Sequence, residues 1–195
     1  MNLVVPASTA RFASLITGLE GQDVTYTGPP VTSLDAAPPH FHLDRYEAVV
    51  GAGAADLARA REGLQSWRAH RIPGIRVYPQ GRRVTLGATV VIAVGTRLAA
   101  VAAPCRITAV EDRPDGWGFS YATLPGHPER GEESFDVALD GHGRVRFCVA
   151  AVSRPEGPVA RIGAPVARAL QRQVALRYLR ALARHVAAGA GGVPT

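Results

Sequence analysis

From residue 75 onward the chain reads as a series of strand-length runs closed by one long helix, and this order limits the folds open to it. The runs lie at 75–78, 89–94, 106–112, 117–124, 134–139 and 145–153, rich in β-branched, aromatic or alternating apolar residues. Turn clusters separate them: Gln80-Gly81, Pro114-Asp115-Gly116 and Asp140-Gly141-His142-Gly143. Arg154-Pro155-Glu156-Gly157-Pro158 breaks the last run, and a helix follows over 165–188, with Pro165 suited to its first turn. Strands joined by short turns pair antiparallel. The expected class is α+β: a helix-grip in which a curved antiparallel sheet of about six to seven strands wraps on the long C-terminal helix.

The first 74 residues supply the remaining elements. A short helix is expected over 8–19, capped by Ser8 or Thr9. Residues 21–39, rich in Gly, Pro, Thr and Asp, read as an irregular segment hugging the surface. A strand over 41–50 leads through Gly51 and Gly53 into a helix over 54–69, whose Leu57, Ala60, Leu64 and Trp67 share one face before Pro73-Gly74 ends it. At 195 residues the chain suits one domain, with 1–40 as an N-terminal helix and irregular segment, 41–188 as the core and 189–195 as a flexible tail.

The closing helix has a graded face. Val166, Leu170, Val174, Tyr178, Ala181 and Leu182 span an apolar arc, opposite Gln173, Arg177, Arg180 and Arg184. In the first turns Arg168, Gln171 and Arg172 take angular positions that Ala175, Leu179, Leu182 and Val186 fill later. The buried arc therefore turns polar near the helix start. A helix laid across a strongly curved sheet tends to leave an internal cavity, an inference from fold-level analogy.

Charge and cysteine usage narrow the classes of partner. The formal charge is +6, and every one of the 22 basic residues is Arg. A basic balance favours anionic partners such as nucleic acid, but the charges are scattered with no run of a binding tail. Heavy Arg and Ala usage also reads as codon bias. Cys105 and Cys148 each lie in an apolar strand-like run, as free thiols do in a reducing cytoplasm, although the sequence leaves their pairing open. Residues 84–104 are the nearest approach to a membrane span; Arg97 interrupts them, and their Val, Ile and Thr content favours two buried strands. No cofactor and no metal is assigned.

Three candidate sites have plainer readings. Gly51-Ala-Gly53-Ala-Ala-Asp56 follows a strand and opens a helix as a dinucleotide fingerprint does. Asp56 stands at the third glycine position and no acid lies about twenty residues on, so a tight strand-to-helix turn is the better reading. His40, His42 and Asp44 share a strand face by period-two alternation and would offer three metal ligands, or else a frayed strand entrance after Pro38-Pro39. Ser153 lacks a nucleophile elbow and reads as a strand exit.

Residues 124–135, Leu-Pro-Gly-His-Pro-Glu-Arg-Gly-Glu-Glu-Ser-Phe, are different: a long polar connection between two strands that holds five ionisable groups. This pattern resembles the signature of the family catalogued as domain of unknown function nineteen-ninety, found in bacteria and plants. Gly51-Ala-Gly53, Trp67, Cys105-Arg106, Phe119, Tyr121, Ser153-Arg154-Pro155, and Pro165 with Arg168 and Gln171 match in the family's order over about 41–180. Ala122 departs from it, standing where glycine is expected. The resemblance implies a fold similar to the START and plant-allergen superfamily, with a ligand cavity, and no activity.

Two roles for the segment follow from its residues. Glu132 and Glu133 point to opposite faces of a strand, so one looks inward. Beside Arg130, Arg154 or Arg168 an inward Glu is a paired carboxylate, orienting a ligand or acting as a base with His127 as proton partner. Alternatively Glu129, Arg130, Glu132 and the helix-start arginines lock the hairpin to the closing helix. The leading function is a START-like module binding a small, largely apolar ligand that carries a polar group. Tyr121, Phe135 and Val149 would serve as walls, with His127, Glu129, Arg130, Glu132, Glu133, Arg154, Arg168 and Gln171 as polar anchors. An enzyme (cyclase, isomerase or hydrolase) using His127 with Glu129, Glu132 or Glu133 is the alternative, and nucleic-acid binding through the scattered arginines a weaker one.

Overall fold

The computed structural model describes residues 4–6, 8–96, 98–156 and 164–190. Its elements are β1 (Val4–Pro6), α1 (Thr9–Gly18), a 3₁₀ turn (Val31–Ser33), β2 (His42–Ala52), α2 (Gly53–Gln65), β3 (Ile75–Tyr78), β4 (Thr89–Gly95), β5 (Ala99–Arg113), β6 (Gly116–Thr123), β7 (Glu129–Leu139), β8 (Arg144–Pro155) and α3 (Ala164–Ala190). Seven strands form one antiparallel path, β2-β8-β7-β6-β5-β4-β3, and β1 adds to β5. Register shifts at Val49/Gly51 and Ile107/Ala109 interrupt the ladders, and such bulges bend a sheet. α2 and α3 pack on each other and on its inner face, as the helix-grip reading requires.

Most boundaries fall within two residues of where the pattern puts them, and three differ by more. β5 starts seven residues before the expected run, because the buried Ala100, Ala102 and Ala103 extend the strand between β1 and β4. α2 stops at Gln65, where the chain turns through Trp67 at φ +61°. β7 begins at Glu129, so the long connection shrinks to the five residues between Thr123 and Glu129. Pro125 and Gly126 explain the tightness: the His127 N–H donates to the Leu124 carbonyl at 3.1 Å, with Gly126 at φ +89°. Pro at the second and a positive-φ Gly at the third position define a type II turn. α3 runs on to Ala190, two residues into the expected tail; the other tail residues, Arg97, and Gly157 and Pro158 of the strand-breaking stretch lie outside the described residues.

Alternation divides each strand between two faces. The inner face of β6 to β8 carries Trp117, Phe119, Tyr121, Phe135, Val137, Val145, Phe147 and Val149, all in one core with Leu57, Leu64, Tyr178, Leu182 and Val186 from the helices. The outer face is covered by the N-terminal segment. Phe12 of α1 packs on Tyr78, Val91 and Ala102, while Tyr26 and Val31 pack on Ala150 and Val152. The irregular segment thus holds the back of the sheet. The exposed side of α3 is as expected, with Gln173, Arg177, Arg180 and Arg184 in solvent.

Gly131 marks the closest strand approach. A Cβ there would sit 2.0 Å from the Val152 carbonyl oxygen and 2.8 Å from Ser153 Cα. Only glycine fits between β7 and β8 at this point, which is a backbone reason for the Gly in Glu-Arg-Gly-Glu-Glu. The Gly51-Ala-Gly53 stretch is the tight strand-to-helix turn, where the Ala52 N–H donates to Asp56 Oδ2 at 2.8 Å. Cys105 lies in the inner core. Cys148 is a neighbour of Phe147 and Val149 on β8 and so faces the other side; both thiols are free.

Candidate functional site

Between the sheet and the start of α3 lies a cleft of about 430 Å³. The reason is the polar start of α3: Arg168 and Leu170 are exposed and Gln171 half-buried, whereas Ala175, Tyr178 and Leu179 further along are buried. The helix closes on the sheet only from Ala175 onward. Ile75, Ile92, Val94, Val101, Ala103 and Val149 give the cleft apolar walls. Leu170, 53% exposed, is an apolar side chain at its border.

Most of the polar groups come from four elements. Period-two alternation on β7 sends Glu129, Gly131 and Glu133 inward. β2 contributes His42, Asp44 and Tyr46, β6 contributes Tyr121 and Thr123, and α3 contributes Arg168, Gln171 and Tyr178. Gln171 Nε2 donates to Glu129 Oε2 at 2.6 Å, tying the hairpin to the closing helix. Among the described residues the lock between hairpin and helix is therefore an amide–carboxylate bond rather than an arginine ion pair.

Glu133 is the deepest acid. The Tyr121 hydroxyl donates to its Oε2 at 2.5 Å. Burial pushes its pKa up to about 7, the Tyr121 hydrogen bond pulls down, and the Glu129 charge adds to the rise. What surface Glu133 retains belongs to a residue lining the cleft. Glu129 is also raised, by burial first and by the Asp44 charge, against the pull of Ser153 and Gln171. Tyr178 stands at the same end of the cleft, 3% exposed, its phenol held well up by burial and by the Glu133 charge. Its hydroxyl makes no hydrogen bond among the described residues.

The other candidates separate by face. Glu132 points to the outer side, where its Oε1 accepts the Val31 N–H at 3.2 Å. His127 lines the cleft but serves the turn: the Glu129 N–H donates to its Nδ1 at 2.9 Å, and burial lowers its pKa to about 4. Phe135 is fully buried in the core beneath the cleft. Arg130 pairs with Glu156 at 3.2 Å, and Arg154 lies 5.1 Å over the Phe41 ring. Both arginines are one residue out of phase with the inward positions, so neither pairs with the inward Glu. Tyr121 takes that place, and no ion pair to Glu133 or hydrogen bond between His127 and a carboxylate is formed among the described residues.

His42 and Asp44 do share the inner face of β2, while His40 precedes the strand at φ +67°. Among the described residues no three His, Cys, Asp or Glu side chains are grouped to hold a metal. Tyr178, which the apolar arc of α3 assigns to packing, and Ser153, which reads as a strand exit, both line the cleft. The grading of the α3 face was the signal that pointed to this end of the helix. A second buried histidine, His70, had none. It is 2% exposed, packed 4.5 Å from the Tyr178 ring and 4.7 Å from the Phe135 ring, and burial lowers its pKa to about 3.

The chain belongs to the family described as domain of unknown function (DUF1990), whose model matches residues 24–181. A UPF0548 protein of Deinococcus radiodurans is 34% identical over 94% of this chain and 98% of its own length. An Arabidopsis thaliana UPF0548 protein is 27% identical over 75% of this chain and 74% of its own. Among solved structures, the Zhui aromatase/cyclase from Streptomyces sp. R1128 aligns with TM-score 0.59 at 16% identity, covering 79% of this chain and all of that one. A hypothetical protein from Helicobacter pylori aligns with TM-score 0.58 at 10% identity, covering 83% of this chain and 96% of that one. These likenesses establish the helix-grip fold and carry no activity over. No described helix is long and apolar enough to cross a membrane.

Proposed function

We propose that this member of the DUF1990 family is a single START-like binding module that encloses a small, largely apolar molecule between its sheet and closing helix. The observation that carries the reading is the cleft itself. At about 430 Å³ it lies within the range of small-molecule sites, with apolar walls and polar groups gathered toward the helix start. Tyr121, Glu129, Glu133, Arg168 and Gln171 are the anchors; Phe135 supports the floor from the core, and Arg130 and Arg154 hold the outer face. Two free thiols on opposite sheet faces suit a reducing, cytoplasmic setting. Native mass spectrometry of the purified protein, followed by denaturing extraction, tests the module. A retained molecule at one per chain is the expected result. Failure to retain any molecule, together with failure to bind an environment-sensitive apolar dye, would sink the reading.

A second reading has one observation behind it. Glu133 with Tyr121 is a carboxyl–phenol pair inside the cleft, its acid poised near neutrality, and such pairs act in general acid–base catalysis. Glu133 and Tyr121 replace His127 in that scheme, because the His127 ring nitrogen is engaged with the turn. A turnover screen comparing wild type with Glu133→Gln separates the readings: the enzyme reading requires loss of any activity found. Nucleic-acid binding is the weakest alternative, and salt-independent failure to shift a DNA or RNA duplex would remove it.

A further inference from the structure

The cleft has the opposite electrostatic character to the chain that holds it. The chain carries +6 formal charge, yet the inward acids Asp44, Glu129 and Glu133 line the cleft against a single arginine among the described residues, Arg168. Asp44 acts on Glu129 and Glu129 on Glu133, so these three acids form a graded line toward the inner end. There the apolar walls converge on two hydroxyls and a carboxyl. Tyr121 donates to one oxygen of Glu133. Tyr178, 97% buried by its 3% exposure, lines the same end with a hydroxyl that no described residue engages. A buried phenol usually finds a partner, and one lining a cleft beside a carboxyl sets a free hydroxyl lone pair next to the carboxyl's second oxygen.

From this arrangement we infer that the occupant is an apolar molecule ending in an amine, whose ammonium group sits between Glu133 and the Tyr178 hydroxyl. The inference rests on the binding-module reading and names the ligand class for it. An ammonium has three donors and no acceptor. It uses the second Glu133 oxygen, the Tyr178 oxygen and the lone pairs of Tyr121, and it offsets the acidic line. A carboxylate in the same position meets like charge from three acids and has no donor but the Tyr178 hydroxyl. An alcohol is tolerated but leaves the charge unanswered.

Decylamine, 1-decanol and decanoate, titrated calorimetrically at pH 8, share one apolar chain and differ only in the head group. Decylamine should bind at least tenfold more tightly than decanol, with decanoate weakest. In Glu133→Gln the amine-to-alcohol ratio should fall about tenfold, and in Tyr178→Phe several-fold. Amine affinity of the wild type should rise between pH 6 and pH 8 as Glu133 ionises. Decanoate binding as well as the amine, or an amine-to-alcohol ratio unchanged by Glu133→Gln, overturns the ammonium assignment while leaving the binding module standing. Binding of none of the three probes overturns the module and the assignment together.

Discussion

The Glu133 carboxyl makes the stability of this protein depend on pH in a way one substitution removes. Its pKa rises from the ordinary 4.5 to about 7 in the folded state, chiefly through burial. A raised acid keeps its proton in the native state after the unfolded chain has lost it. The native state therefore loses relative stability as pH rises from the unfolded pKa through the folded one. At 1.36 kcal/mol per unit, this cost is about 0.8 kcal/mol at pH 5 and about 3.3 kcal/mol at pH 8, a rise of about 2.5 kcal/mol. Gln at position 133 keeps the shape and the acceptor for Tyr121 but does not ionise. The stability of Glu133→Gln minus that of wild type should then grow by about 2–3 kcal/mol from pH 5 to pH 8. With a urea slope near 2 kcal/mol/M, that is a midpoint shift of about 1 M. Urea unfolding followed by the fluorescence of Trp67 and Trp117, both buried in the native core, reads it directly. Taking the difference cancels the titrating groups that are not coupled to Glu133. A difference that stays constant across this range refutes the claim that Glu133 is held protonated by its surroundings.

Three further outcomes are expected. His70, with its pKa lowered to about 3 by burial, works with the opposite sign: stability is full above its unfolded value near 6.5 and falls as pH drops below it, by about 2 kcal/mol at pH 5. In urea unfolding at pH 7 and pH 5, His70→Phe should lose less stability on acidification than wild type by about that amount, and equal losses would contradict a neutral buried imidazole. Gly131→Ala drives a Cβ into the Val152 carbonyl oxygen and should cost at least about 1–3 kcal/mol, seen as a lowered thermal midpoint; a neutral result would mean β7 and β8 can separate freely. Finally, Cys105 is buried with its thiol pushed well up, and Cys148 is raised less by partial burial. A thiol reagent should count two free thiols in denaturant and label Cys105 in the native protein only on unfolding, whereas a count of zero in denaturant would mean the two are bridged.

Local chemistry wrote much of the architecture into the sequence. Alternation together with β-branched and aromatic content placed most of β3 to β8 within a residue or two, because successive strand side chains point to opposite faces and pack there. Pro125-Gly126 specifies a turn, and Gly51-Ala-Gly53 a strand-to-helix corner, wherever the rest of the chain lies. The opposed faces of Glu132 and Glu133 follow from the same period. The graded face of α3 even indicated which end of the helix would stand off the sheet. The extent of β5 and the start of β7 were hidden, since polar or small residues in a strand look like loop until their partners are known.

Tertiary structure alone decided which polar groups meet. Glu133 and Tyr178 lie 45 positions apart, and Asp44 and Glu129 lie 85 apart, separations over which periodicity carries no information. Arg130 and Arg154 were plausible partners for an inward acid by proximity in sequence, but the pleat sends them outward to Glu156 and Phe41. His70 carries no signal in the sequence and Tyr178 reads as packing, and only the closure of α3 over the sheet puts both beside the buried acid's environment. Charge tells the same story: composition gave a basic chain, whereas the cleft is acidic because folding turns most arginines to solvent and a few carboxylates inward. Net charge sums over the surface, while a site is set by the handful of side chains that the fold removes from water.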